Sequence, residues 1–239
     1  MRIHSGTARG RVLKTREGKG TRPTDARARE TLFNIIGERV VGARFLDLYA
    51  GTGAVGLEAL SRGAAHCTFV EQNAVACRVI RDNVKMLDWH ERAQVWQSAV
   101  KPSLRRLTET KSEQAAERQS SEDDERSRTD ATWDTESSAH LNRFDIIFAD
   151  PPFTRVEELR ELAAGLDDCI VGSIGHDEQK AQLFIIQHHW KAKLTLSARF
   201  EAVQQRRAGE SVLSFYRLTE ALPDAADAGL PPDHEDSST

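Results

Sequence analysis

Cysteine is scarce in this chain. Three residues (Cys67, Cys77 and Cys169) are spread over 239 positions, an odd number with no C-x-x-C spacing. That pattern excludes a disulfide framework and a cysteine zinc site, and a reducing cytoplasm is the expected setting. Long apolar runs are lacking too. No stretch approaches the roughly 18 apolar residues of a spanning helix. The charged start MRIHSGTARG has no apolar segment behind it, so neither a membrane anchor nor a secretory signal is expected. Aromatic residues make up only 6% of the chain. An excess of positive charge is also missing, because 33 Lys and Arg face 37 Asp and Glu for a net charge of −4. Taken over the whole chain, that balance argues against a nucleic-acid partner.

The charge is, however, unevenly placed. Residues 1–39 hold ten Lys/Arg against four acids, a local balance of +6. Residues 108–142 hold ten acids against four basic residues, and residues 221–239 hold five acids with no Lys or Arg. The rest of the chain, N-terminal segment included, carries +7. Both acidic stretches are rich in Ser, Thr, Asp, Glu or Pro, and the first offers only Trp133 and Leu141 as large apolar side chains. Neither can bury enough surface to offset its ordering entropy. The expected organisation is a basic N-terminal hairpin and helix (1–39), then an α/β domain (40–220) interrupted by a disordered acidic insertion at 108–142. A disordered acidic tail (221–239) follows.

Short apolar runs alternate with helical patterns through the middle of the chain. Strands are expected at 44–49, 67–71, 93–97, 143–150 and 182–188, and helices at 25–36, 53–63, 73–87, 101–107 and 156–168. Two final strands, 200–205 and 211–218, lie about six residues apart and suit an antiparallel hairpin. Residues 1–15, with Gly6 and Gly10, suit a small hairpin of their own. The fold class is therefore α/β, a mostly parallel sheet covered on both faces, with right-handed crossovers.

Asp47-Leu48-Tyr49-Ala50-Gly51-Thr52-Gly53-Ala54-Val55-Gly56 joins the first strand of that sheet to its helix. Gly51, Gly53 and Gly56 match G-x-G-x-x-G, and Glu71 ends the next strand 20 residues after Gly51. Glycines serve where a chain turns tightly or a ligand approaches the backbone, and an acid at this distance can accept hydrogen bonds from ribose hydroxyls. A nicotinamide dinucleotide and S-adenosylmethionine would both fit. Asp47 favours the second, since a carboxylate attracts a cationic ligand and repels a pyrophosphate. The alternative for Asp47 is a carboxylate that merely caps the turn.

Asp150-Pro151-Pro152-Phe153 follows the strand 143–150. Prolines fix φ and remove backbone donors. What remains is a rigid set of acceptors, the Asp150 carboxylate and backbone carbonyls, beside an aromatic ring. Such a set suits a planar group with an exocyclic amine: the acceptors take the N–H bonds and Phe153 stacks on the ring. Alignment, rather than a strong base, would supply most of the rate of a methyl transfer.

The loop D-L-Y-A-G-T-G and the D-P-P-F segment together resemble the signature of S-adenosylmethionine-dependent amino-methyltransferases. Gly10-Arg11, Thr21-Arg22-Pro23-Thr24, Arg29-Glu30, Leu32-Phe33-Asn34 and the run Gly56 to Ala64 extend the likeness. The series resembles the bacterial 16S rRNA guanine-N2-methyltransferase family, whose target is guanine 966. The resemblance spans Met1 to about Tyr216, with the 108–142 insertion atypical. It implies a Rossmann-like methyltransferase fold with a seven-stranded sheet and S-adenosylmethionine as cofactor. It also implies 16S rRNA in an assembling small subunit as partner. Asp47, Tyr49, Gly51, Thr52 and Gly53 would shape the methionine end of the cofactor site, and Glu71 would bind the ribose. Asp150, Pro151, Pro152 and Phe153 would hold the guanine. Many methyltransferases carry an acid after the third strand to hold the adenine amine. Here that place reads Gln97-Ser98-Ala99, which leaves Ser98 or a backbone amide. A DNA or protein amino-methyltransferase remains the alternative within this chemistry, and a nicotinamide oxidoreductase or a non-catalytic nucleotide-binding module outside it.

Arg2, Arg9, Arg11, Lys14 and Arg22 are the candidates for phosphate contacts, as a basic apron beside the crevice. A guanine N2 lies on the pairing edge, so the target must be unpaired or turned out of its stack. His188-His189-Trp190 is a tempting metal motif, but adjacent strand residues point to opposite faces, and no metal site is expected. A monomer suffices.

Overall fold

The apolar runs at 44–48, 66–71, 146–149 and 183–189 are short and buried almost throughout, which is how a strand inside a parallel sheet reads, while the run at 93–97 is half-buried. The computed structural model describes residues 1–15, 23–108, 144–152, 182–192, 194, 196–197 and 199–218. The expected helix at 156–168, the bulk of the 108–142 insertion, the 221–239 tail, Arg22, Phe153 and Cys169 lie outside the described residues.

The elements are α1 (Pro23–Ile36), β1 (Arg44–Leu48), α2 (Ala54–Ser61), β2 (His66–Glu71), α3 (Ala74–Met86), β3 (Ala93–Gln97), α4 (Val100–Thr108), β4 (Ile146–Ala149), β5 (Leu183–His189), β6 (Phe200–Ala208) and β7 (Ser211–Leu218). The strands form one sheet in the order β3-β2-β1-β4-β5-β7-β6. Strands β1 to β5 run parallel, while β7 pairs antiparallel with both β5 and β6. The chain winds outward from β1 to β3, then returns to place β4 on the other side of β1. The order reverses between β1 and β4, and in open α/β sheets that reversal opens a ligand crevice at the strands' carboxyl ends.

The two faces of the sheet follow from alternation along each strand. Phe45, Phe69, Ile146, Phe148, Ile185 and Phe215 point to the face covered by α1, α2 and α3. Leu46, Leu48, Val70, Ile147, Phe184 and Ile186 point to the other, where Val100 and Leu104 of α4 pack. The start of α3 is also local chemistry: the Asn73 side chain accepts from the Val75 and Ala76 amides at 3.0 and 3.1 Å, an N-cap worth about 1 kcal/mol.

Two boundaries differ from the sequence reading. The terminal hairpin is tighter, because β6 continues to Ala208 and only Gly209 (φ +67°) and Glu210 make the turn. Gln205 to Ala208 have no apolar stripe to mark them, since an edge strand pairs through its backbone. The N-terminal hairpin, in turn, has a single antiparallel bridge, Arg2 to Val12. Its arms also pair through the Ile3, Gly10 and Leu13 amides, and the amides between them turn to α2. The His4 and Ser5 amides donate to the Glu58 carboxylate (2.9 and 3.0 Å), and the Ala8 amide donates to Ser61 Oγ (3.0 Å). Gly6 (φ +84°) passes so close to Ser61 that a Cβ would sit 1.8 Å from its carbonyl oxygen. Ile3 and Leu13 join the same core as Leu32, Phe33 and Phe45. No helix among the described residues is long and apolar enough to cross a membrane.

Candidate active site at the switch point

Strand register brings the candidate residues to one rim. Leu48 is level with Val70 on one side and Ala149 on the other, and Glu71 is level with Gln97. The next residues along, Tyr49 to Gly53, Ser98 and Asp150, therefore leave the sheet together. The Asp150 amide points to the Leu48 carbonyl at 3.5 Å. Pro151 is buried and Pro152 exposed, so the first proline anchors the acceptor segment and the second stands at the surface.

The three glycines are needed for three different reasons. Gly51 has φ +55°, and a Cβ there would meet nothing within 4 Å. Its backbone faces open space, which is the cradle an approaching ligand requires. Gly53 (φ +79°) is the left-handed residue from which α2 starts. Gly56 sits where α2 crosses β2, and a Cβ would lie 2.3 Å from Phe69 Cε1 and 2.5 Å from Cys67 Sγ. Both neighbours are fully buried. Gly56→Ala is therefore expected to destabilise the fold by about 1–3 kcal/mol through overpacking, read as a lowered urea midpoint with an unchanged slope. Tyr49 also holds positive φ (+60°), a conformation that costs a non-glycine residue free energy and marks the loop as shaped for something.

Glu71 ties the loop to the next helix. Its Oε2 accepts from the Gly51 amide (2.8 Å) and its Oε1 from the Asn73 amide (2.7 Å). An ionised carboxylate has about four acceptor positions, so hydroxyls can still be received. The Ser98 amide donates to the Glu71 carbonyl at 3.0 Å, which brings the β3 end beside Glu71.

Asp47 lies under the loop and not on its surface. It is 2% exposed, and its Oδ2 accepts from the Gly56 amide at 2.8 Å. It thus caps one of the N–H groups that the first turn of α2 leaves unpaired, the second of the two roles its position suggested. Burial pushes its carboxyl up to about 7, with the Gly56 hydrogen bond opposing and Asp150 and Glu71 adding to the rise. A raised carboxylate pKa favours the protonated fold. The stabilisation is complete below about 3.8 and is lost as pH rises through about 7.

The basic N-terminal segment is anchored on α2 and α3. Its anchors Glu58 and Ser61 lie five and eight residues beyond Gly53, or roughly 7 and 12 Å down α2 at 1.5 Å per residue. Lys14 is anchored near the far end of α3, where its amide donates to Asn83 Oδ1 (2.8 Å) and its Nζ pairs with Asp82 (2.9 Å). Arg2 donates to the Gly10 carbonyl, while Arg9 and Arg11 are exposed. Ile3 and Leu13 hold the hairpin against the core shared with Leu32, Phe33 and Leu57, on the face that α1, α2 and α3 cover.

Sequence reasoning missed Glu58. This acid is 1% exposed in an otherwise apolar helix, and beyond the two amides it pairs with Arg62 at 2.9 Å and Arg29 at 3.7 Å. Its signal was the basic partner four residues on, at Arg62. The two neighbouring histidines separate as strand geometry requires: His188 is buried, with its Nε2 2.7 Å from Ser214 Oγ, and His189 lies at the strand end. Cys67 and Cys77 are buried free thiols, and burial raises both.

Sheet order, antiparallel last strands, glycine loop and acidic strand ends define a class: the fold is that of Rossmann-like S-adenosylmethionine-dependent methyltransferases. The solved structure titled "Putative methyltransferase yhhF from Escherichia coli" superposes with a TM-score of 0.66 at 29% identity, covering 91% of this chain and 97% of that one. Residues 1–116, just under half of the chain, match the family model described as conserved hypothetical protein 95. Two curated relatives match at higher identity over shorter spans. "Putative rRNA methyltransferase YlbH" of Bacillus subtilis is 43% identical over 104 residues, 44% of this chain and 56% of that protein. "Ribosomal RNA small subunit methyltransferase D" of Escherichia coli K12 is 45% identical over 87 residues, 36% of this chain and 44% of that protein. The chain spans about half the length of these curated relatives.

Proposed function

We propose that the chain, acting as a monomer, transfers a methyl group from S-adenosylmethionine to the exocyclic N2 of guanine 966 in 16S rRNA of the small ribosomal subunit. The observation that carries this reading is the register of β1 against β4. It sets Asp150-Pro151-Pro152 one strand away from the glycine loop, acceptor beside donor, at the switch point of the sheet. The relatives' printed names support its coarser part, methylation of rRNA.

S-adenosylmethionine, when bound, supplies a methyl group already activated on a sulfonium. The open face of Gly51 and the remaining acceptor positions of Glu71 fit its backbone-hugging and ribose parts. Ser98 and the neighbouring amides fit the base edge. Asp150 and the proline carbonyls accept the N–H bonds of the guanine amine and aim its nitrogen along the line of displacement. Phe153, outside the described residues, is assigned by the D-P-P-F motif to stack on the guanine ring. The nitrogen turns acidic only after alkylation, so the proton leaves late and no strong base is needed. Rate comes chiefly from holding the two reacting atoms in line.

Two tests follow. A cation over the loop favours ionised Asp47, so binding of S-adenosylmethionine is expected to release a proton near neutral pH. Affinity should rise with pH up to about 7 and then level off, and the uncharged thioether product should show a weaker dependence. Calorimetry in buffers of different ionisation enthalpy reads the released proton directly. For the acceptor atom, labelled methyl should enter a 16S transcript made with guanosine and not one made with inosine, which lacks the 2-amino group. Equal incorporation into the inosine transcript would move the reaction to another atom.

A further inference from the structure

Strand β5 ends on the same rim as β4, and what it carries there has no part in the chemistry above. Ile186 is level with Ala149, so Asp150 is level with Gln187 and Trp190 follows three residues on. One strand spacing and three residues put the two roughly 10 Å apart. Trp190 is 45% exposed, although its backbone is fixed by a hydrogen bond from its amide to the Glu210 carbonyl (3.0 Å) in the β6–β7 turn. Cations surround its ring: Arg207 Cζ is 4.8 Å and Lys191 Nζ 5.2 Å from the centroid, with the His189 ring at 5.9 Å. Arg207 and Lys191 are both exposed, and Glu210 is the acid nearest in sequence. The platform is stiff beneath. His188 meets Ser214 at 2.7 Å, and Gln205 donates to the same hydroxyl at 2.9 Å, which ties β5, β7 and β6 together behind it.

We propose that Trp190, with Arg207 and Lys191, is a stacking platform for a nucleotide of the single-stranded RNA segment that flanks the target guanine. This rests on the RNA reading above. An exposed indole pinned at a strand end and ringed by cations has the two elements that single-stranded nucleic acid requires: a π face for a base, and positive charge for the backbone beside it. Duplex does not fit, because its bases are already stacked. The Lys191 ammonium, on a flexible stem, yields its place over the ring to the base and takes a phosphate. Arg207, held by its own Nε to the Gly209 carbonyl (3.0 Å), keeps its position beside the ring.

The test is binding of a 12-nucleotide single-stranded RNA, and of an RNA duplex of equal length, by the full chain. Trp190→Ala should weaken single-strand binding by about 5- to 150-fold, leave the duplex little changed and leave S-adenosylmethionine affinity as in the wild type. Trp190→Phe should keep most of the single-strand affinity, since a smaller ring still stacks. Lys191→Ala with Arg207→Ala should reduce the slope of log affinity against log salt by about 1.4. Wild-type single-strand affinity in Trp190→Ala, equal losses on single strand and duplex, or an unchanged salt slope in the double variant would each overturn the platform. If the wild type methylates RNA while Trp190→Ala binds normally, only the platform fails. If the wild type binds no RNA at all, the RNA reading fails with it.

Discussion

Asp150→Ala is expected to lower methyl transfer on the order of a hundred- to a thousandfold while cofactor affinity stays within about twofold. The side chain stands at the end of β4, half-exposed, on the acceptor side of the switch point. Its removal leaves in place the hydrogen bonds from the Gly51 and Asn73 amides to Glu71 and from the Gly56 amide to Asp47. What is lost is the acceptor that orients the amine, so the loss appears in the chemical step. Asp150→Asn should retain part of the rate, since its amide oxygen still accepts one N–H. Single-turnover transfer to a 16S transcript, with calorimetric binding of the cofactor in parallel, separates the two effects. Normal turnover in Asp150→Ala would remove Asp150 from the acceptor site.

Glu58→Ala is expected to destabilise the fold by about 3–5 kcal/mol, which in a domain of this size lowers the melting temperature by roughly 10 °C. Glu58 is 1% exposed, and its carboxylate is the meeting point of two hairpin amides and two guanidinium groups. Alanine leaves the 4%-exposed Arg29 without its carboxylate and two amides without their acceptor. Breaking a buried pair from one side costs far more than a surface ion pair is worth. Glu58→Gln should cost less, because one oxygen still accepts. Hydrogen exchange should speed up first at His4 and Ser5, as the hairpin lifts from α2. A melting temperature within a degree or two of the wild type would show that the Glu58 carboxylate does not hold the hairpin.

The parts of the fold legible in the sequence were those in which local pattern and tertiary role coincide. Asn73 before an apolar-periodic run marked the start of α3, and the runs around Phe69 and Ile147 were apolar enough to be strands of any sheet buried on both faces. The glycine spacing and the Asp-Pro-Pro segment placed both halves of the site at strand ends, and the register put them on one rim. Long-range contacts left no such mark. Nothing in the sequence near Ile3 says that the amides of His4, Ser5 and Ala8 donate to Glu58 and Ser61, more than fifty residues away. Charge alone suggested a basic apron, and the apolar anchors Ile3 and Leu13 that fix the hairpin left no mark in that count. Asp47 was legible as an acid in the right loop, yet its burial beneath Gly56 is a property of how α2 packs on β2. Trp190 was read with its two histidine neighbours because they are adjacent in sequence. Its actual partner across the turn, Arg207, is brought to it by the β5–β7–β6 pairing.

The net charge takes on a different meaning with this placement. Part of the basic excess lies on the N-terminal hairpin, and part lies at the β5 and β6 ends beside Trp190, on the rim that carries Asp150.

The central claim is one methyl group on one guanine amine. Mass spectrometry of ribonuclease fragments from 16S rRNA, compared between a strain carrying this chain and one from which it has been deleted, tests it directly. The account predicts that a single fragment loses one methyl mass on deletion, at N2 of guanine 966, and regains it when the purified chain and S-adenosylmethionine are added back. An unchanged fragment map, or a methyl lost from any other atom or molecule, would contradict it.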